Sequence, residues 1–519
     1  MIESQPVAPT SAPTGAADDL SVEVVPERHA AVAFWDRHAD RLIPAIAFVV
    51  LFAGFFTITW LRSYTLEPGY DRAYFKQAVW LVNHGHPLFI SPRGLYLLGD
   101  HASPIMFPVA WLLRFVPAGA GLLGLQAAAI GLGGVYLYRF ARDHAGLSRW
   151  PAAALVAALA AYPALHNTAL AGFHPEALAF PALLAATYHG LRGEWWRYAA
   201  AFAVVLTAKE DMAIAGVSLA FLLLVKGRWK AAAVTFVAGG AYLVFAMGYL
   251  SPHFANDTYT QTVRFGEYGD SMGEILGFML THPVRVWTDI FGPETTTKLL
   301  ALLGPLLFLP ILSPAYLAPA LPLEFVLLAT DYGPPHTIDF HYTMPFTAFA
   351  FMAAAMTVAR LELEKVPRRH LGVALVVAGA FFFVQYAKDS PLHHPWQWRT
   401  RDALDQARLA AHEMIPRGDA VAVGNGLLDL FSDRQFVYNA PMPFEYWTEI
   451  KPDPIPTAER RRHVDWAVID QQGEWVMPKP PAEVIDVVLP SWGFEVVWER
   501  EGIVVLKRVS RPDAPIPLE

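Results

Sequence analysis

Residues 42–61 read LIPAIAFVVLFAGFFTITWL, and this apolar run closely follows Arg37 and Arg41. A helix needs about 20 apolar residues to cross a bilayer core of about 30 Å, so the run predicts a membrane-spanning helix. Basic residues beside a span stay in the cytoplasm, which places the N-terminus on that side. Because the preceding residues lack the pattern of a cleavable signal peptide, we expect this first span to remain as an anchor.

The composition agrees with a chain that lies largely in lipid. Of the 519 residues, 54% are hydrophobic and 17% are charged, whereas soluble proteins carry about 25% charged residues. The formal net charge is -8 and the basic residues stand in short clusters, so no nucleic-acid partner is expected. The absence of cysteine excludes disulfides, thiolate metal sites and a cysteine nucleophile.

Further apolar runs predict an all-α polytopic membrane protein with about eleven transmembrane or re-entrant helices. If the segments alternate in direction, every dense cluster of Lys and Arg falls on the cytoplasmic side, as the positive-inside rule requires. Two of the runs, 198–208 and 212–225, are too short to cross and favour a re-entrant pair. The runs after the first lie at about 119–138, 150–166, 175–191, 198–208, 212–225, 231–250, 298–313, 315–330, 342–359 and 370–387.

The same topology divides the chain into three parts. Residues 1–30 are rich in Pro, Ala and Ser and predict a disordered cytoplasmic tail. Residues 31–390 form the predicted membrane domain, with long outer loops at 62–103 and 251–297. Residues 391–519 predict a soluble extracytoplasmic α/β domain, because charges return and short alternating strands appear. The predicted strands are Ala420–Val423, Trp466–Ile469, Phe494–Trp498 and Ile503–Leu506, with helices near 400–415 and 481–488.

The first outer loop begins with an amphipathic stretch, 71–83, whose apolar stripe includes Tyr74, Phe75 and Trp80. This pattern predicts a helix that lies on the membrane surface. Asp71 stands at its start, where the helix dipole favours a carboxylate. The residue is therefore either a helix cap or a catalytic or ligand-binding group.

Other ionisable residues interrupt apolar segments or follow them in the outer loops. A charge at membrane depth is costly enough that a function is the first hypothesis. The alternative is that Lys209 neutralises a nearby carboxylate or extends its ammonium to the surface. Because the topology rests on other residues, the shared outer placement of this set predicts one outward-facing site. The set consists of Asp100, His101, His174, Glu176, Lys209, Glu210, Asp211, His336, Asp339, His341 and Tyr342.

Some of these side chains suit more than one chemistry. The neighbours Asp100 and His101 could act as an acid–base pair or supply two metal ligands. Carboxylates and imidazoles of the set could bind a divalent metal such as Mg²⁺, Mn²⁺ or Zn²⁺. No spaced motif of the HExxH kind supports a metal site, and the sequence leaves metal dependence open.

Several ordered motifs together resemble a known family. They are Asp71-x5-Gln77-x2-Trp80, Asp100-His101, Phe173-His174-Pro175-Glu176, Lys209-Glu210-Asp211 and His341-Tyr342. In this order they resemble the bacterial and archaeal membrane proteins catalogued as domain of unknown function 2079, from about residue 45 to the C-terminal strands. That family in turn resembles the GT-C glycosyltransferases, polytopic enzymes that use lipid-phosphate-linked sugars on the outer face of the membrane.

The resemblance implies a GT-C-like fold and a glycosyltransferase in a bacterial inner (cytoplasmic) membrane. The donor would be a polyprenyl-phosphate sugar, and the acceptor would be a hydroxyl of a glycan, a lipid or a protein on the outer face. An acidic residue in the first outer loop is characteristic of the superfamily, and Asp71 and Asp100 occupy that region. Asp71 is the expected general base, and Asp100 and His101 are further candidates for catalysis.

The departing lipid phosphate would carry negative charge and would need cations or hydrogen-bond donors around it. A single displacement at the anomeric carbon would invert its configuration. A divalent metal could supply part of the positive charge. The residues expected to bind the substrate or its phosphate are His174, Glu176, Lys209, Glu210, Asp211, Arg264, His336, Asp339, His341 and Tyr342.

Two other functional classes stay open. A secondary transporter would also use intramembrane His, Glu, Lys and Asp residues, although it should have polar groups on both sides of the membrane and two related halves. A non-catalytic receptor or assembly protein would bind a partner through the C-terminal domain. Its function would not depend on Asp71.

Overall fold

The computed structural model describes residues 27–67, 69–255, 259–363, 368–393, 400–445, 457–473 and 475–511. The chain forms two compact units, Met1–Ile43 and Pro44–Glu519. Most of the predicted disordered tail, up to residue 26, lies outside the described residues. The rest of that predicted tail, residues 27–30, is instead the start of the first helix.

Helices make up most of the described chain up to residue 386, and short 3-10 and π-helical turns join several of them. The α-helices of this part are α1 (Glu27–Tyr64), α2 (Tyr70–Asn83), α3 (Leu97–Asp100), α4 (Met106–Leu112), α5 (Ala118–Arg139), α6 (Arg149–Ala160), α7 (Pro163–Ala171), α8 (Glu176–Arg192), α9 (Trp195–Ala208), α10 (Met212–Val225), α11 (Trp229–Phe245), α12 (Ser251–Phe254), α13 (Met272–Thr281), α14 (Pro283–Ile290), α15 (Pro293–Leu303), α16 (Pro314–Leu317), α17 (Leu321–Leu328), α18 (Met344–Leu363) and α19 (Arg368–Tyr386).

Several of these helices can span a membrane. Among the described residues, four stretches are long and apolar enough, and the pair α6 and α7, bent by 43°, would make a fifth span if it crosses as one unit. The prediction of a mostly helical chain with several apolar spans is therefore confirmed. The four stretches are Arg37–Tyr64, Ala118–His144, Trp229–Phe254 and His341–Leu361.

The sequence predicts about eleven segments, but fewer helices of the described chain are long and apolar enough to cross a membrane alone. Prolines divide some of the apolar runs, because a proline inside a helix removes a hydrogen bond. The predicted run 298–313 ends as an α-helix at Leu303, before Pro305, and the run 315–330 is interrupted around Pro319. Helices α9 and α10 have 14 residues each and are about 21 Å long, which agrees with the lengths expected of a re-entrant pair.

Helix α2 confirms the predicted amphipathic helix but lies within protein rather than on lipid. Its Tyr74 and Val79 are buried in an apolar cluster with residues of α4. Arg72 and Gln77, on other sides of the helix, are buried as well. The strands β1 (Phe89–Ile90) and β2 (Leu95–Tyr96) form a hairpin beside it, which the sequence did not predict. The predicted contact of Tyr74 and Phe75 with the membrane surface is therefore wrong, because both side chains are buried in protein.

The C-terminal part is a small mixed sheet with helices on both faces. The sheet has the strand order β4-β3-β5-β7-β6, in which β3 is parallel to β4 and β5, and β7 is antiparallel to β5 and β6. All four predicted strands are confirmed, and the missed strand β4 has three residues. The elements are α20 (Ala403–Met414), β3 (Ala420–Val423), α21 (Leu428–Phe431), β4 (Val437–Asn439), α22 (Thr457–His463), β5 (Val464–Asp470), α23 (Pro481–Glu483), α24 (Leu489–Ser491), β6 (Phe494–Arg500) and β7 (Ile503–Arg508).

Polar contacts join this C-terminal part to α2. The Arg72 guanidinium pairs with Asp429 of α21. The Gln77 amide donates to Ser91 Oγ at 2.8 Å, and that hydroxyl in turn bonds to both backbone groups of Val437 in β4. Because each of these contacts is wholly or largely buried, the helix that carries Asp71 is held by the C-terminal sheet.

Close packing of α5 against α8 generates a first prediction. A Cβ at Gly133 would overlap the fully buried ring of Phe180. We expect Gly133→Ala to lower the free energy of unfolding by about 1–3 kcal/mol, because the ring has no free space to enter. Thermal unfolding of the purified protein measures this change. Gly240→Ala in α11, where nothing lies within 4 Å of the new methyl group, should be neutral or slightly stabilising. Equal melting temperatures for the two variants would contradict the packing.

Candidate active site

A cavity of about 610 Å³ lies where the start of α2, the loop before α8, the loop before α10 and the segment before α18 meet. Most of the predicted site residues line it. They are Asp71, Asp100, His101, His174, Glu176, Lys209, Arg264, His341 and Tyr342. The convergence of these loops on one site, expected from the topology, is thus present in the fold.

Asp71 projects from the first turn of α2 into this cavity. The N-cap position of the helix is Gly69, and no side chain caps it, so the alternative role of Asp71 as a helix cap is not realised. Its Oδ2 instead faces His174 Nε2 at 3.2 Å, and the Asp71 side chain is 37% exposed. His174 Nδ1 lies 3.2 Å from the Gly172 carbonyl, which orients the ring and leaves Nε2 for the carboxylate.

The pairing shifts the pKa values of the two groups in opposite directions, and each shift favours the charged form. Burial opposes ionisation of Asp71, but the charge and hydrogen bond of His174 outweigh it and lower the pKa of the carboxyl group. Burial likewise opposes protonation of His174, but Asp71 outweighs it and raises the pKa of the imidazole. Both shifts favour the ion pair over the two neutral side chains.

His174 contacts a second group of ionisable side chains, which lies behind the pair with Asp71. Its ring stacks on His341, with the ring centroids 3.6 Å apart. His341 Nε2 lies 3.3 Å from Glu176 Oε1, and the same oxygen is 2.9 Å from Lys209 Nζ. Lys209 also contacts Asp211 Oδ2 at 3.2 Å. The predicted alternative for Lys209, neutralisation by neighbouring carboxylates, is what the structure contains.

Glu210 and Asp211 do not line the cavity but stand behind its wall. Glu210 Oε2 accepts the Ala102 backbone N–H at 2.9 Å, and its Oε1 is 3.4 Å from His101 Nδ1. Glu210 thus holds the loop that carries His101, while Asp211 supports Lys209. Both act on residues of the cavity rather than on its contents.

Asp100 is committed to a different partner. Its Oδ2 lies 3.3 Å from Arg93 Nε, and Gln261 donates to its backbone carbonyl at 2.8 Å. Burial would raise the pKa of Asp100, but Arg93 in particular lowers it to about 2. The carboxylate is therefore ionised and already paired, which leaves Asp71 as the more accessible base of the two.

Arg264 is a cation of the cavity that has no carboxylate partner among the described residues. Its guanidinium lies over the ring of Tyr332, 4.5 Å from the centroid. Within the described parts of the chain, no acidic side chain forms an ion pair with it, whereas Lys209 and Arg93 each have one. A positive charge without a counter-ion in a concave site can bind an anionic ligand group.

Two predicted residues lie elsewhere. His336 Nε2 contacts the Thr330 carbonyl at 2.9 Å, and the residue does not line the cavity. Asp339 pairs with Lys388 at 3.0 Å and lines an adjoining cavity. His336 therefore does not reach the space that Asp71, Glu176 and Lys209 share, whereas Asp339 meets Asp71 in the adjoining cavity but does not reach Glu176 or Lys209.

The adjoining cavity, of about 520 Å³, shares Asp71 with the first one. Its polar lining includes Arg62, Asn167, Asp339 and Lys388, and residues of the C-terminal part complete it. Tyr70, Arg93, Tyr332 and Phe340 also belong to both walls. Asp71 therefore stands between two spaces, each large enough for a small ligand or one end of a larger one.

Arg93 is a site residue that the sequence analysis missed. It lies in the predicted first outer loop, where the positive-inside rule disfavours a basic residue. An arginine on the predicted outer side is a signal that could have identified it. Tyr70 and Tyr332 carried no comparable signal.

In the described parts of the chain no group of three His, Asp or Glu side chains comes together that could hold a metal ion. The carboxylates around the cavity are each paired with a Lys, Arg or His side chain. The pairs are Asp71–His174, Asp100–Arg93, Glu176–Lys209, Glu210–His101 and Asp211–Lys209.

The fold is similar to that of solved glycosyltransferases. ArnT from Cupriavidus metallidurans bound to undecaprenyl phosphate matches with a TM-score of 0.51 at 14% sequence identity, over 90% of this chain and 99% of that one. The apo structure of the same protein has a TM-score of 0.51 and 15% identity, over 89% and 98%. Arabinofuranosyltransferase AftD from Mycobacteria has a TM-score of 0.47 and 14% identity, over 90% and 40%. No match is found among curated protein sequences.

The apolar spans, the small C-terminal mixed sheet and this similarity define a membrane protein with a GT-C-like fold. The chain belongs to the family described as "Predicted membrane protein (DUF2079)", whose family model matches residues 62–505. Both resemblances expected from the ordered motifs are thus confirmed, and the chain is an integral membrane protein.

The ion pair at Asp71 makes a prediction about its titration. We expect His174→Gln to raise the pKa of Asp71, because burial then acts without the opposing imidazolium charge. At a given acidic pH, a larger fraction of the Asp71 carboxyl group should then be protonated than in the unmodified protein. Carbodiimide reacts with the protonated carboxyl group, so mass-spectrometric labelling of Asp71 against pH measures the shift. His282→Gln, at an exposed imidazole, is the control. Unchanged labelling in His174→Gln would show that the pair does not govern Asp71.

Proposed function

We propose that the protein is a glycosyltransferase that moves a sugar from a polyprenyl-phosphate donor to an acceptor hydroxyl on the outer face of the membrane. The observation that carries this proposal is the position of the Asp71 carboxylate between two cavities. Two substrates can approach such a carboxylate from opposite sides. The GT-C-like fold supports the assignment.

In this reaction Asp71 is the general base. The acceptor oxygen forms a bond to the anomeric carbon while the bond from that carbon to the phosphate oxygen breaks. The acceptor proton passes to Asp71, and the lipid phosphate leaves with the bonding electron pair. One displacement of this kind inverts the anomeric configuration. His174 keeps Asp71 ionised and directs its carboxylate, and so acts as a positioning residue.

The leaving phosphate is assigned to Arg264. Lys209 is nearly buried between Glu176 and Asp211, so its charge is already balanced. Arg264 lines the same cavity as Asp71 and has no carboxylate partner among the described residues. A guanidinium can bind phosphate oxygens in a bidentate manner. His336 is no longer a candidate for this role, because it lies outside the cavity.

An apolar groove of about 740 Å³ provides space for the prenyl chain. It lies among α4, α5, α8 and α9, and its lining includes Ile105, Leu178 and Val204. Ile105 and Leu178 each follow a cavity residue, Ser103 and Glu176, by two positions. Val204 precedes the cavity residue Lys209 by five positions. The Ile105 backbone N–H also donates to Thr207, at 3.1 Å. The groove thus begins near the cavity, as a lipid-linked donor requires.

Loss of the proposed base gives the direct test. We expect Asp71→Asn to reduce transfer of radiolabelled sugar from a panel of polyprenyl-phosphate sugars by at least about 10²-fold, because the other carboxylates that line the cavity, Asp100 and Glu176, are buried and paired with Arg93 and Lys209. The purified full-length protein is assayed with and without a chelator, which also tests the open question of a divalent metal. Asp270→Asn, at an exposed loop position, should keep full activity.

Other outcomes of this assay favour the alternatives. No transfer from any donor, together with solute or ion flux in liposomes, would favour a secondary transporter. Binding of a partner that depends on the C-terminal part and is unaffected by Asp71→Asn would favour a receptor or assembly protein. Transfer at the wild-type rate by Asp71→Asn would refute the assigned base but not the transferase.

The assignment of Arg264 predicts a selective defect. Arg264→Gln should raise KM for the lipid-linked donor and lower kcat, because the phosphate binds in the ground state and gains charge as the sugar leaves. A decrease of about 10²-fold in kcat/KM is expected for one charged contact in a water-poor site. KM for the acceptor should stay within about twofold. Arg285→Gln, at an exposed surface arginine, is the matched control, and an equal defect in both variants would argue against a phosphate contact.

A further inference from the structure

The face of α2 opposite Asp71 lines a separate pocket of about 750 Å³. Asp71, Tyr74 and Phe75 face the candidate active site, whereas Lys76 and Trp80 face this second pocket. The other walls are the start of α5 and the segments around α20 and α21 of the C-terminal part. Trp80 belongs to the first ordered motif of the sequence, and the proposed transfer reaction gives it no role.

The pocket has an excess of positive charge. Its lining contains Lys76, Arg114, Arg417 and Arg434 but one carboxylate, Asp433, within the described residues. Asp433 pairs with Lys76 at 2.9 Å. Arg114 and Arg417 are exposed and form no ion pair with an acidic side chain of the described chain. Two guanidinium groups are thus available to an anionic ligand.

Two basic side chains that line the pocket, Arg434 and His412, have lowered pKa values. Burial lowers the pKa of Arg434 to about 10, although Asp419 and Asp433 oppose the change. Burial and the charges of Arg434 and Lys76 also lower the pKa of His412. An anion in the pocket would offset the effect of Arg434 and Lys76 on His412 and the cost of burying the Arg434 charge.

The pocket also lies where the chain meets lipid. Its lining joins Trp60, near the end of the first span, to Ala118, at the start of the second. Next to it Trp111 is 66% exposed and Phe115 is 84% exposed. Exposed aromatic side chains at the ends of spans are typical of the interface between hydrocarbon and head groups. Trp80 stacks on His84 with the centroids 4.0 Å apart and presents a flat wall on the inner side.

We propose that this pocket binds the phosphate head group of an anionic phospholipid from the surrounding leaflet. Arg114 and Arg417 contact the phosphate, and the acyl chains lie against Trp111 and Phe115. Basic pockets between membrane helices bind anionic head groups in this way. The site does not rest on the proposed transfer reaction, because α2 separates it from Asp71 and its ligand is not a substrate.

Lipid binding is measured directly, without any activity assay. The full-length protein, delipidated in a neutral detergent, is titrated with phosphatidylglycerol or phosphatidylcholine of equal chain length, and native mass spectrometry counts the bound lipids. We expect phosphatidylglycerol to bind more tightly. The double variant Arg114→Gln/Arg417→Gln should weaken that binding by roughly 10- to 30-fold, the combined effect of two cations near a phosphate. Arg500→Gln, at an exposed arginine of strand β6, should change it by less than about twofold.

A second variant distinguishes the loss of a lipid contact from misfolding of the protein. Asp433→Asn removes the pocket's acidic side chain, so we expect it to tighten phosphatidylglycerol binding by about three- to fivefold. A damaged protein would not gain affinity. Equal affinity for the two lipids, an equal loss in Arg500→Gln, or unchanged binding in Asp433→Asn would overturn the proposal. Tight binding of soluble glycerol phosphate that displaces the lipid would identify a site for a free phosphate compound and overturn the lipid assignment.

Discussion

The buried ammonium of Lys209 is the constraint on which the candidate active site depends. A buried cation is costly without counter-ions, and Glu176 and Asp211 supply them at 2.9 and 3.2 Å. These contacts join the start of α8 to the turn between α9 and α10. His174, two residues before Glu176, is thereby placed beside Asp71. The proposed base is therefore positioned by a charge pair that it does not touch.

The sequence identified the ionisable residues of the site because few structural reasons place a charge at membrane depth. It did not show their pairing, which depends on the direction of each side chain. His336 illustrates this limit, since its imidazole contacts the Thr330 carbonyl instead of facing the cavity. The spans follow the same logic: apolar content was visible in the sequence, but the interruptions near Pro305 and Pro319 depend on how the helices end. The strands of the C-terminal sheet were predictable because their alternation is local, whereas the three residues of β4 are too few to show a pattern.

The C-terminal sheet is part of the architecture of the site rather than an appendage to it. Ser91 Oγ links Gln77 of α2 to Val437 of β4, and Arg72 reaches Asp429. Both residues of α2 lie close to Asp71 in the chain. The helix has little apolar surface left for lipid, because protein covers it on several sides. This burial explains why an amphipathic pattern alone misplaced it on the membrane.

Helix α2 divides two spaces, with Asp71 on one and Trp80 on the other. Successive residues of an α-helix are rotated by about 100° around its axis. One residue inserted or deleted between these two positions would turn one side chain away from its space while the other stayed in place. The number of residues between Asp71 and Trp80 thus determines whether both side chains face their own spaces. Substitutions within this interval should be tolerated far better than changes in its length.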